Sequence, residues 1–287
     1  MRILLFGPNG QVGREIHAIQ GRHELHALAR GSADLSQPGE AANAIINLRP
    51  DAIINAAAWT AVDKAEAEKS AAHRINAEAA GEIAIAAQKT GARLVHISTD
   101  YVFPGSAEEP LDETAQTGPV NVYGASKLEG EKLVAAQCEN AVIVRTSWVY
   151  AAHGANFVKT MLRLSETRDE VSVVSDQIGG PTPASAIAEA CIRIAENKTG
   201  PAGIYHFQGA PSASWAEFAK TIFLAAGRNV AVNKIRTSDF PTPAKRPLKT
   251  VLDCRKILKD YGVGQPDWRA DLLITAPQII SGEPQSN

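Results

Sequence analysis

Short, continuously apolar runs recur along the first half of the chain. They are Ile3-Leu4-Leu5-Phe6, His26-Ala27-Leu28-Ala29, Ala52-Ile53-Ile54-Asn55-Ala56, Leu94-Val95-His96-Ile97 and Ala141-Val142-Ile143-Val144. Runs of this kind mark strands buried on both faces, as in a parallel sheet. Between them, 11–20, 39–48, 71–89 and 125–136 are rich in Ala, Glu, Lys and Leu and read as helices. The alternation predicts βαβ units and an α/β fold with a Rossmann-like, doubly wound parallel sheet.

The rhythm loosens after residue 150. Helices are predicted over 156–166, 184–196 and 215–226, and strands over 171–174 and 204–207. Pro241, Pro243 and Pro247 make 237–247 a loop, and the polar stretch 278–287 reads as a frayed tail. The organisation predicted is a dinucleotide-binding domain over 1–150 and a smaller α/β substrate domain over 151–287. Whether the strands at 171–174 and 204–207 rejoin the first sheet is left open.

Composition narrows the function classes. The chain has 287 residues, with 29 Lys and Arg against 31 Asp and Glu. That balance argues against a nucleic-acid-coating protein. Cys138, Cys191 and Cys254 lie too far apart for a disulfide framework or a thiolate zinc site. No run approaches the length needed to cross a bilayer, and the opening residues are too short an apolar stretch for a secretory signal. A cytoplasmic protein without membrane or nucleic-acid partners is expected.

Gly7-Pro8-Asn9-Gly10-Gln11-Val12-Gly13 joins the first strand to the first helix with the spacing G-x-x-G-x-x-G. In a dinucleotide site Gly7 permits the turn, Gly10 lets a pyrophosphate approach the backbone, and Gly13 lets helix pack on strand. An ordinary strand–helix turn carries the same glycines, but the flanking elements favour the nucleotide. An acid would end the second strand of an NAD site; here Arg30 stands beside that place, followed by Ser32. A guanidinium suits a 2′-phosphate, so NADPH is favoured and NADH left open. Asp34 and Leu35 are placed to meet the adenine, although Asp34 also suits a helix N-cap.

Tyr123 and Lys127 stand four apart, on one face of a predicted helix. An ammonium beside a phenol lowers the phenol pKa toward neutrality, giving a matched proton donor. Thr99, in Ser98-Thr99-Asp100-Tyr101, stands at the carboxyl end of the fourth strand, where open α/β sheets bind ligands. Its hydroxyl could hydrogen-bond a substrate carbonyl. Arg145 reads as a residue bonding carbonyls at a strand end, and His96 as a buried or cofactor-edge residue.

The glycine turn, Asn55-Ala56-Ala57-Ala58, Ser98 to Phe103 and Tyr123-Gly124-x-x-Lys127 together resemble the extended short-chain dehydrogenase/reductase superfamily. Longer strings, among them 61–66, 145–150, 156–163 and 241–247, resemble its dTDP-4-dehydrorhamnose reductase family over nearly the whole chain. The resemblance implies reduction of a 4-keto sugar nucleotide, dTDP-4-dehydrorhamnose, with Thr99, Tyr123 and Lys127 as the catalytic set. It also implies that Gly10, Gln11 and Val12 line the pyrophosphate turn and that Ala58, Trp59 and Thr60 flank the cofactor. Thr60, Val62, Asp100 and Trp148 would face the sugar nucleotide. Lys159, Arg163, Lys245 and Arg246 are the candidates for its diphosphate. Some family members hold magnesium between subunits through glutamates. Glu15 matches one such position, but Ser185 stands at the second, with Glu189 a turn later. A metal site is therefore doubted, and a homodimer is left open. Two rivals share the fold: an epimerase or dehydratase holding NAD, and a non-catalytic NADP-binding regulatory subunit.

Overall fold

The computed structural model describes residues 1–19 and 21–281. The first half builds β1 (Arg2–Phe6), α1 (Gln11–Ala18), β2 (Glu24–Leu28), α2 (Glu40–Leu48) and β3 (Ala52–Asn55). α3 (Val62–Ala67), α4 (Lys69–His73), a π-helical turn (Arg74–Glu78), α5 (Ala79–Thr90), β4 (Arg93–Thr99), α6 (Val122–Gln137) and β5 (Ala141–Thr146) follow. The second half contributes β6 (Val149–Tyr150), α7 (Phe157–Leu164), β7 (Glu170–Val174), β8 (Ile178–Gly179), β9 (Thr182–Pro183) and α8 (Ala184–Glu196). β10 (Gly203–His206), β11 (Ala213–Ser214), α9 (Trp215–Ala225), β12 (Ala231–Ile235), α10 (Arg255–Tyr261) and α11 (Trp268–Ser281) complete it.

Six strands form one sheet in the order β10-β5-β4-β3-β1-β2, every pair parallel. The apolar runs are continuous because helices cover both faces. Ile3, Leu5, Ile54, Val95 and Val144 meet α8 on one face; Leu4, Ile53, Leu94 and Ile143 meet α2 and α5 on the other. The order in which successive strands are added reverses between β1 and β3, the place where such a sheet opens a crevice beyond its strand ends.

The helix predicted over 71–89 is interrupted. Its π turn carries the buried Asn76, whose side chain receives the Trp59 N–H (2.8 Å) and donates to Ser126 Oγ (2.9 Å) on α6. π turns of this kind often mark functional sites. Of the two strands left open, 204–207 joins the main sheet through β10, whereas 171–174 pairs with β12 in a separate two-stranded sheet. α8 also packs on α1 and the main sheet, so 184–206 lies with the first-half layer despite its position in the chain. β12 escapes the sequence reading because it is largely exposed and carries no apolar run. At the predicted tail, α11 continues to Ser281, and 282–287 lies outside the described residues. No helix among the described residues is long and apolar enough to cross a membrane.

Candidate active site

The glycine turn is fixed by contacts no side chain could survive. Gly7 has φ of +80°, and a Cβ there would fall 2.7 Å from the Ala57 nitrogen. A Cβ on Gly13 would fall 2.1 Å from the Gly7 carbonyl oxygen. α1 therefore packs directly on the turn, and Gly10 caps it without any side-chain bond. Gly7, Gly10, Gln11 and Val12 line a cleft of about 730 Å³; Gly13 acts behind them as the packing contact. Gly13→Ala is expected to cost about 1–3 kcal/mol through overpacking. A lower Tm together with weaker NADPH binding in a fluorescence titration would show it. Binding as tight as the parent's would mean the close approach does not shape the nucleotide site.

The same cleft is lined by Thr99, Tyr123 and Lys127. Asn121 caps α6 by accepting from the Gly124 N–H (2.7 Å), which sets Tyr123 in the first turn and Lys127 one turn on. Tyr101 lies edge-on to Tyr123, with ring centroids 5.7 Å apart. Thr99 Oγ1 donates to Asp100 Oδ1 (3.1 Å) and accepts from the Tyr101 N–H (3.2 Å). The Thr250 hydroxyl donates to the other oxygen of Asp100. Burial pushes the Asp100 carboxyl up to about 6, against the opposing bonds from Thr250 and Thr99.

The phenol differs from the sequence expectation. Burial pushes Tyr123 up to about 12, partly offset by a hydrogen bond with Thr99, while burial pulls Lys127 down to about 8. The reason is geometric. Lys127 Nζ donates to the Ile97 carbonyl (2.7 Å) and lies 3.4 Å from His96 Nε2, so one of its protons is committed to β4. Desolvation then dominates both groups.

Arg30, Asp34 and Leu35 line a neighbouring cavity of about 210 Å³ that shares Gly7, Gly10 and Ala58 with the cleft. Arg30 Nε stands 3.9 Å from Asp34 Oδ1. Asp34 does not cap α2, whose N-cap is Gly39; it accepts from the Ser36 N–H (2.9 Å) and closes a local turn. Trp59 lines neither cavity. Asn76 clasps its backbone, and its indole N–H reaches the Ala61 carbonyl (3.3 Å).

Thr60, Val62, Asp100 and Trp148 line the same cleft. Trp148 adopts φ of +45°, unusual for a bulky residue, and its ring stacks on Trp215 at 3.7 Å and 9°. Sequence reasoning placed Trp215 in a helix without a role. The Ser214–Glu217 capping box that starts α9 is legible in the sequence and fixes where Trp215 sits, but no local signal pairs it with Trp148.

The Arg145 reading is corrected, and the structure places the remaining candidates. Arg145 does not bond strand-end carbonyls; it is buried and forms a forked ion pair with Glu131 on α6 (2.7 and 3.0 Å). Arg246 is held by Asp63 in a two-pronged pair, which ties the proline-rich loop to α3 and keeps the Asp63 carboxyl below its usual range. Lys245 is exposed and lies beside it. Lys159 and Arg163 line a separate cavity of about 570 Å³ with Arg228. Glu15 is buried beside His153 (3.4 Å), Ser185 lines the same small cavity, and Glu189 is exposed. Among the described residues no group of three His, Cys, Asp or Glu is arranged to hold a metal.

Comparison with known proteins fits this geometry. A family model described as the RmlD substrate binding domain matches residues 1–278. The chain is 44% identical over 283 residues to a dTDP-4-dehydrorhamnose reductase of Escherichia coli K12, covering 94% of this chain and 95% of that one. The chain belongs to the dTDP-4-dehydrorhamnose reductase family. A solved family member from Clostridium acetobutylicum superposes with a TM-score of 0.93 at 38% identity, covering 98% of this chain and 100% of that one. Another, from Bacillus anthracis in complex with NADP, gives a TM-score of 0.90 at 36% identity over 98% and 99% of the two chains. In this family member the glycine turn, the Tyr–Lys pair and Thr99 line one cleft.

Proposed function

We propose that this chain uses NADPH to reduce the C4 ketone of dTDP-4-dehydro-L-rhamnose to the alcohol of dTDP-L-rhamnose. The observation that carries the reading is one cleft lined both by the glycine turn and by Thr99, Tyr123 and Lys127. The turn suits a pyrophosphate. Gly10 opens α1 without a side-chain cap, so the helix N-terminus faces the cleft with its amides free of side-chain competition. Arg30, beside Gly10 in the adjoining cavity, offers a cation where a 2′-phosphate needs one.

When bound, NADPH supplies the hydride. The chain's own groups deal with the ketone oxygen as its charge grows. The Tyr123 phenol, kept protonated by its burial, gives its proton to that oxygen as the more basic alkoxide forms. The Thr99 hydroxyl, which donates to Asp100, turns to the same oxygen and shares its charge. Lys127, one helical turn from Tyr123, presents its ammonium beside the phenol and the cofactor side of the cleft. The Trp148–Trp215 stack walls the sugar-nucleotide end.

The test generates dTDP-4-dehydrorhamnose in place and follows loss of the reduced-nicotinamide absorbance with each cofactor. Net NADPH consumption is expected. Tightly held NAD with no net consumption would instead point to an epimerase. Arg30→Ala is expected to weaken NADPH binding roughly 10- to 100-fold, from the loss of a charged hydrogen bond, while leaving NADH binding within a few-fold. Equal losses for both cofactors would remove Arg30 from 2′-phosphate recognition.

A further inference from the structure

A buried line of polar side chains beneath the cleft is not used by the reduction chemistry as described. Asn55, at the end of β3, accepts from the Ala57 N–H through Oδ1 (3.2 Å), which fixes the orientation of its amide. Its nitrogen faces His96 Nδ1 at 3.1 Å. An amide NH₂ only donates, so Nδ1 must accept. His96 is 1% exposed, and burial, reinforced by the Lys127 charge, holds its pKa well below the ordinary value. The ring is therefore neutral with its one proton on Nε2, which faces Lys127 Nζ at 3.4 Å. An ammonium has no lone pair to receive that proton; only a neutral amine does. The inward acceptor for the ammonium is the Ile97 carbonyl.

We propose that His96 is a positioning residue: held by Asn55 as its Nε2–H tautomer, it denies the Lys127 ammonium a second inward acceptor and so turns the remaining protons toward Tyr123 and the cofactor side of the cleft. Other groups around this pocket are Tyr123 and Glu131 on α6, Ser98 on β4 and Arg145 on β5. Glu131 is committed to Arg145 and Ser98. The device has a direction in pH. As pH rises through about 8, Lys127 loses its proton. The amine then accepts from His96 Nε2–H and presents no charge and one proton fewer to the cofactor side, so cofactor binding weakens on the alkaline side.

Two measurements test this. In the full-length chain with ¹⁵N-labelled histidine and no ligand, the ring cross-peaks of His96, identified by their loss in His96→Gln, should show a neutral ring protonated at Nε2. A proton at Nδ1, or a doubly protonated ring at neutral pH, overturns the proposal. His96→Gln puts a carbonyl oxygen within reach of Lys127, and the alkaline limb of NADPH binding should move up by half a pH unit or more. An unmoved limb also overturns it. Should that variant fail to fold, the tautomer of the unsubstituted chain, assigned through its backbone, decides alone. The inference leans on the reductase reading only for the cofactor's identity. A chain that consumed no NADPH with the sugar nucleotide would refute that reading while leaving the tautomer result to stand or fall by itself.

Discussion

Tyr123→Phe is expected to lower kcat for the keto sugar by about 10²–10⁴-fold, the usual worth of a positioned proton donor. NADPH binding should stay within a few-fold of the parent, because the phenyl ring keeps the edge-on packing against Tyr101 and only the hydroxyl is lost. The hydroxyl is the group that Thr99 contacts and that faces the cleft shared with Lys127. Single-turnover oxidation of NADPH separates the two quantities, since it reports chemistry at saturating cofactor. If the variant and the parent reduce the sugar equally fast, the proton comes from elsewhere and the proposed mechanism is wrong. If cofactor binding collapses as well, Tyr123 serves mainly to shape the site.

Glu131→Leu is expected to lower the unfolding free energy by about 3–5 kcal/mol, the cost of leaving a buried charge without its partner. Glu131 and Arg145 are both 2% exposed. The Arg145 guanidinium also lies 5.0 Å from the Phe103 ring centroid and 3.4 Å from His206 Nε2. Neither replaces the carboxylate. Burial, with the Arg145 charge second, drives His206 down to about 3, so at neutral pH that ring is neutral and adds no counter-charge. The double variant Glu131→Leu with Arg145→Leu should recover part of the loss, since removing both ions also removes their desolvation cost. Denaturant melts of the two variants check this. Single and double variants that unfold alike, within about 1 kcal/mol of the parent, would mean that water reaches the pair and screens it. Ser98 donates to Glu131 and also lines the cleft, so the same variant should loosen the carboxyl end of β4 where Thr99 sits.

Much of this molecule is written in local pattern. Apolar runs of four or five residues between helical stretches read as strands sheathed on both faces, and β1, β3, β4 and β5 all follow from that. The glycine spacing is legible because Gly7 and Gly13 answer steric demands within one turn. Tyr123 and Lys127 are legible because a helix converts a spacing of four into a shared face. The weakly amphipathic second half is harder. β7 and β12 form a small sheet with one exposed member, so their pairing leaves little trace in hydrophobicity. The split of the predicted 71–89 helix is equally silent, since it answers to Trp59 and Ser126, which lie elsewhere in the sequence.

By itself the sequence determined the parallel α/β architecture, the glycine turn and the placing of Tyr123 and Lys127 on one helix face, because each depends on residues close together along the chain. Only the tertiary structure decided what those groups experience. It gave Arg246 to Asp63 and Arg145 to Glu131, seated Trp215 against Trp148, and tied one proton of the Lys127 ammonium to the Ile97 carbonyl of β4. Ion pairing, stacking and desolvation act through space over a few ångströms, and the partners that set them come from strands and loops far apart in the sequence.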